Sequence, residues 1–157
     1  MLHWLWLSLV VILFDQFTKQ LVESSLLVFE VVPLMPSLNL TLVYNEGAAF
    51  SFLSEQGGWQ RWFFILLGTV VSGVLTLWLW RLNAGQRLSA ISLSLIVGGA
   101  IGNIVDRLLL GHVVDFIDFY YGDWHWPAFN VADSAITIGV VLMLLEMVRE
   151  ERRQPGI

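Results

Sequence analysis

Residues 62–80 read WFFILLGTVVSGVLTLWLW, with no charged side chain from one tryptophan to the last. As a helix this stretch reaches roughly 28 Å, close to the thickness of a hydrocarbon core. Tryptophan at both ends suits the bilayer interface, where an amphipathic ring settles. This one run makes the chain a membrane protein, and three further spans follow from the same reasoning. They lie near 4–22, 88–107 and 130–147. The first has no basic leader and no small-residue cleavage site, so it reads as a retained anchor rather than a secretory signal.

Composition agrees. The 157 residues are 57% hydrophobic and 13% charged, with a mean hydropathy of +0.72. A soluble domain of this size could not cover so much apolar surface with so few charges. The length fits a single membrane domain, 1–157. A net charge of −5 and the absence of any basic cluster argue against nucleic acid. No cysteine is present, which excludes disulfides and thiolate metal sites.

Arginine and lysine set the orientation. The loop from Arg81 to Arg87 carries two arginines, and the C-terminal tail carries Arg149, Arg152 and Arg153. The other connections are richer in Asp and Glu. Both termini are therefore expected in the cytoplasm, with the long connections outside. Within 28–56, Leu38, Leu40, Leu42 and Tyr44 alternate with Asn39, Thr41 and Val43, which predicts a strand. Pro33 and Pro36 are expected to break what precedes it, and Gly57-Gly58 to end it. The fold expected is thus an all-α membrane protein of four transmembrane helices with a small β-cradle on the outer face.

Ionisable residues inside spans cost about 2.5–3.5 kcal/mol each on insertion scales, so they need a reason. Here they gather at the outer end: Asp15 and Lys19 in span one, Asp106 and Arg107 closing span three, Asp133 opening span four. Asp115 follows just beyond. In span three, Ser94, Gly98, Gly102 and Asp106 form one helical stripe and Gly99, Asn103 and Arg107 the next. The glycines read as packing positions. Asn103 and Arg107 read better as a polar wall, although Arg107 also fits an interfacial snorkeller.

Asn130 suits an N-cap, and Asp133 three residues on can cap back. That structural role competes evenly with function until Asp115, able to reach the same level, is added. Two aspartates at one low-dielectric site share a proton and titrate as a pair. Asp133, at a helix N-terminus, is the better candidate for the charged member. Such a pair suits water attack on an amide: one carboxylate takes a proton from water, and the other carboxyl hydrogen-bonds the carbonyl oxygen. No HExxH and no GxSxG occurs. Lys19, the only lysine, could activate Ser24 or Ser25, but an ion pair with Asp15 one turn away is the plainer reading. A small ion- or proton-coupled transporter or channel subunit is the main alternative, and a helix-docking scaffold a third.

At these residues the chain resembles the bacterial lipoprotein signal peptidases (signal peptidase II), which are membrane aspartic peptidases. The similarity runs through five blocks, 15–19 (DQFTK), 45–50 (NEGAAF), 98–107 (GGAIGNIVDR), 111–118 (GHVVDFID) and 129–134 (FNVADS). The resemblance implies that Asp115 and Asp133 are the catalytic dyad. It also implies that Asp15, Asn45, Asn103, Arg107, Asn130 and Ala132 shape or support the site. Lys19, as the partner of Asp15, and Gly47, as a hinge, are expected to support it with them. The implied substrates are diacylglyceryl-modified prolipoproteins, cut before the lipidated cysteine, with membrane lipids as surroundings and globomycin-type cyclic peptides as inhibitors. The implied location is the bacterial inner membrane, with the site on the periplasmic side. Neither a cofactor nor a metal is expected. The outer β-element would act as a clamp over the site, with Gly47 and Gly57-Gly58 permitting its movement.

Overall fold

The computed structural model of the protein describes residues 1–47 and 58–153. Gly57 and the part of the expected β-element beyond residue 47 lie outside the described residues. A single 3-10 turn leads into helix α1 (Leu5–Ser25), followed by strands β1 (Val31–Met35) and β2 (Leu38–Asn45). Helices α2 (Trp59–Arg81) and α3 (Arg87–Leu109) come next, then β3 (Val113–Tyr121), β4 (Trp124–His125) and α4 (Val131–Arg153). All four helices are long and apolar enough to cross a membrane. Each runs beyond the span read from hydropathy alone. The extra turns carry interfacial residues that a hydropathy window rejects but a helix tolerates.

Helix α3 is the centre of the bundle and packs on the other three. Its two small-residue stripes face different neighbours. On one, a Cβ added at Gly98 would lie 2.9 Å from the Ser8 backbone of α1. At the same contact the Ser8 hydroxyl donates to the Ser94 carbonyl at 2.7 Å. On the other stripe, a Cβ at Gly99 would overlap the Ala132 carbonyl oxygen of α4. Helix α4 answers with Gly139, where a Cβ would meet the Ser92 carbonyl at 2.7 Å. Three backbones therefore approach as closely as helices can, which in lipid is what holds a bundle together.

The strands form one antiparallel sheet in the order β1-β2-β3-β4. Val22, Leu42, Val114 and Phe116 make its core against the end of α1. The sheet therefore sits at the end of the bundle where α1 and α3 finish and α4 begins. At the other end Leu79, Leu82, Ala90 and Leu93 pack against Met1, Trp4 and Met143. Pro33 does not break the chain as expected. It lies within β1, the edge strand, where a missing N–H costs no ladder bond.

The alternation expected in 38–44 also fails partway. Between Leu40 and Val43 the register slips, so that Thr41 and Leu42 both oppose Phe116, and both are buried. This β-bulge changes which residues face the site. Before it, Leu38 and Leu40 pair with Phe119 and Ile117; after it, Val43 and Asn45 pair with Asp115 and Val113. Without the extra residue Asn45 would point to the opposite face. Residues 113–121, read from sequence only as an acidic connection, are the longest strand. Gly111, at φ +91, turns the chain out of α3 into it, and Gly122, at φ +61, opens the two-residue turn to β4.

Candidate active site

Lys19 sits 2% exposed on α1 with all three ammonium hydrogens engaged. Its Nζ lies 2.7 Å from Asp15 Oδ2 and 2.8 Å from Asp106 Oδ2, and donates to Asn103 Oδ1 at 3.0 Å. The i, i+4 pairing with Asp15 is the one read from sequence. The Ser24 and Ser25 hydroxyls instead donate to the Leu21 carbonyl, so no Ser–Lys dyad forms. Asp15 uses its second oxygen to accept the Ala132 N–H at 2.8 Å, placing a carboxylate on the N-terminus of α4. Ala132 itself is fully buried, and a larger side chain there would part α3 from α4.

The start of α4 is fixed twice more. Phe129 exchanges backbone hydrogen bonds with Ile117 of β3, at 2.8 and 3.1 Å. Asn130 then caps the helix: its Oδ1 accepts the Asp133 N–H at 2.9 Å, while its own N–H donates to Asp133 Oδ2 at 3.3 Å. The reciprocal cap expected from sequence is present. The Asn130 amide has a second task, however. Its Nδ2 donates to Asp115 Oδ1 at 2.7 Å, so a single buried side chain touches both aspartates.

Each oxygen of the pair faces a neutral donor. Asp115 Oδ2 accepts from Asn45 Nδ2 at 2.9 Å, and Asp133 Oδ1 from Asn103 Nδ2 at 2.8 Å. Among the described residues neither makes an ion pair within 4 Å. The nearby cations are held elsewhere. Arg107 lies over the Phe64 ring at 5.1 Å and donates to the Gly47 carbonyl at 2.7 Å. The Gly47 N–H in turn donates to Asn45 Oδ1 at 3.0 Å. Arg107 thus reaches Asp115 through Gly47 and Asn45 rather than directly. Burial, and then the neighbouring Asp133, push the Asp115 carboxyl up to about 7.

Asp115 is 2% exposed, on the face of β3 that carries Phe119. Both aspartates line a cavity of about 870 Å³ with Asn45, Asn103 and Arg107 at the same end. Phe119, Trp124, Trp126 and Phe129 wall the rest. Asp118 takes the other face of β3, bonded to Asn39 and to His125, and has no part in this cavity. Among the described residues no group of three or more His, Asp or Glu is placed to hold a metal ion. All ten residues singled out in the sequence come together in this network. It adds Gln16, whose amide donates to Asp106 Oδ1 at 2.6 Å, and Phe129. Gln16 was visible as a polar residue in an apolar span, whereas the backbone bonds by which Phe129 fixes the start of α4 leave no side-chain signal.

Comparison with known proteins agrees with this geometry. A family profile described as Signal peptidase (SPase) II matches residues 7–149. A lipoprotein signal peptidase of Cupriavidus taiwanensis is 54% identical over 152 residues, covering 97% of this chain and 86% of that protein. One from Burkholderia thailandensis is 53% identical over 149 residues, covering 95% and 89%. A bacterial membrane enzyme solved by the in meso method at 2.3 Å resolution superposes with a TM-score of 0.87 at 29% identity, covering 99% of this chain and 93% of that one. A second, solved at 1.9 Å, gives 0.79 at 32% identity, covering 92% of each chain. The chain belongs to the signal peptidase II family, and is a multi-pass bacterial membrane protease.

Proposed function

We propose that this protein removes signal peptides from diacylglyceryl-modified prolipoproteins, cutting before the lipidated cysteine with Asp115 and Asp133 as its catalytic pair. The observation that carries the reading is Asn130, whose side-chain amide donates to the Asp115 carboxyl and whose backbone N–H donates to the Asp133 carboxyl, both carboxyls lining an apolar cavity. With Asp115 protonated to about pH 7, Asp133 is the base. It takes a proton from water as the water oxygen bonds the scissile carbonyl carbon, while the Asp115 hydroxyl hydrogen-bonds the carbonyl oxygen. Collapse breaks the C–N bond, and the proton passes to the departing amine. No covalent enzyme intermediate forms.

The substrate class fits the cavity. A cavity of about 870 Å³ lined by four aromatic rings together with Val113, Ile136 and Ile138 suits apolar chains. The helices place the carboxylates at one end of the bundle, so a signal peptide can keep its apolar run in the bilayer. In this reading the bundle is one domain in the inner membrane, both termini are cytoplasmic, and the site faces the periplasm. Globomycin-type cyclic peptides would fill the same cavity. Strands β1 and β2, tied to Arg107 through Gly47, would form part of a clamp over it.

The test is cleavage by purified protein of one precursor prepared with and without its diacylglyceryl group. The modified precursor should be cut before its cysteine and the unmodified one left intact. Equal cleavage of both would contradict the assigned substrate class.

A further inference from the structure

Asp106 has no place in the chemistry above, yet it is 2% exposed and anchors three elements at once. Its Oδ1 accepts from Gln16 of α1 at 2.6 Å. Its Oδ2 takes the Lys19 ammonium at 2.8 Å and the backbone N–H of Val114 in β3 at 3.1 Å. A carboxylate buried in a membrane protein without a task is costly, and its partners show where this one acts.

We infer that Asp106 is a positioning residue that sets both members of the aspartate pair, by two separate routes. The first runs through Val114, the residue before Asp115. Holding that amide fixes where β3 leaves α3 and so where the Asp115 carboxyl sits. The second runs through Lys19. With Asp106 on one side and Asp15 on the other, the ammonium has its third hydrogen left for Asn103 Oδ1. An amide whose oxygen is taken presents its nitrogen elsewhere, and Asn103 Nδ2 points to Asp133 Oδ1 at 2.8 Å. One carboxylate thereby orients two others that it does not touch, as outer partners orient the ligands of a metal. Gln16 belongs to the same device, since it bonds Asp106, the Gly102 carbonyl and Asp15 together.

The inference rests on the assigned chemistry of Asp115 and Asp133, and the experiment separates the two. Steady-state cleavage of a lipid-modified precursor is measured for the wild type, Asp106→Asn and the double variant Gln16→Glu/Asp106→Asn. Each is first checked for cooperative thermal unfolding in detergent. The single substitution turns an acceptor into an NH2 that confronts the Gln16 amide. It should lower kcat by roughly 10- to 100-fold, the size of effect a misplacement near 1 Å produces, while KM changes less than about threefold. The double variant gives that NH2 a carboxylate to meet and keeps the net charge. It also sets the new carboxylate against Asp15 and the Gly102 carbonyl, so kcat should return only in part. A role in packing alone would lower the yield of folded protein without splitting kcat from KM.

Unchanged kcat in folded Asp106→Asn overturns the inference, as does a parallel rise in KM. Should Asp106→Asn not fold, Gln16→Met removes one bond to Asp106 without altering charge. A smaller fall confined to kcat is then expected, and an unchanged kcat overturns the inference. A wild type that does not cleave is a failure of the assigned reaction instead.

Discussion

Asp115 and Asp133 differ in what surrounds them, and the difference separates the roles proposed for them. Asp115 is deeper, lies on a strand, and has its proton held to about pH 7 by burial and by its neighbour. Below that pH the pair carries the one proton the reaction needs. Above it both carboxyls ionise, and nothing remains to hydrogen-bond the carbonyl oxygen. The value of kcat/KM should therefore fall about tenfold per pH unit above 7, read from a pH–rate profile with the lipid-modified precursor. The same shift predicts stability. An acid whose pKa rises on folding binds its proton more tightly in the native state, so it costs stability as pH climbs from the usual carboxylate range to about 7. Asp115→Asn should thus raise the unfolding temperature more at pH 8 than at pH 5. An equal gain at both would contradict a raised Asp115 pKa.

At the scale of elements, the site depends on how closely α3 meets α4. Gly99 marks that contact, where any side chain overlaps the Ala132 carbonyl oxygen, one turn along α3 from Asn103. Gly99→Ala should move Asn103 away from Asp133 and cut activity by at least roughly tenfold, by analogy with other small displacements near a reacting group. Gly73→Ala on α2, with nothing within 4 Å of the new Cβ, should leave activity unchanged and stabilise by up to about 1 kcal/mol. Comparable losses at both positions would argue against the contact. The helices were legible because a membrane asks so little of sequence: long apolar runs and tryptophan ends suffice. The capping role of Asn130 and the Asp15–Lys19 pair were legible for the same reason, being local in the chain. The sheet was less so. β3 carries Asp115 on one face and Asp118 on the other, with aromatic residues on both, which hides its period. The bulge at Thr41 and Leu42 inverts the pattern just before Asn45. Nothing within β2 announces it, because the slip is set by what β3 and α1 require.

The whole molecule is polarised. One end of the bundle holds the sheet, the buried charges and the cavity, and the other holds Met1, the far end of α4 and the short Arg81–Arg87 turn. In the orientation proposed above from the arginine distribution, the second end lies in the cytoplasm. A chain without cysteine allows a direct check. In intact cells with a permeable outer membrane, an impermeant maleimide should label Tyr121→Cys, in the β3–β4 hairpin and 84% exposed, but not Gly85→Cys. Labelling of Gly85→Cys alone would reverse the orientation and with it the side from which substrate arrives. Sequence could identify the polar end, because ionisable residues in spans are rare. It could not reveal that the charges form one connected network from Gln16 to Asp133, since the links cross from helix to helix.

The pairing of Asp115 with Asp133 is the centre of this account, and one measurement bears on it most directly. Purified wild type, Asp115→Asn and Asp133→Asn, each shown to unfold cooperatively, are given the same lipid-modified precursor with and without a chelator. The account predicts cleavage by the wild type in both conditions and none by either variant. Full activity in either folded variant would contradict it.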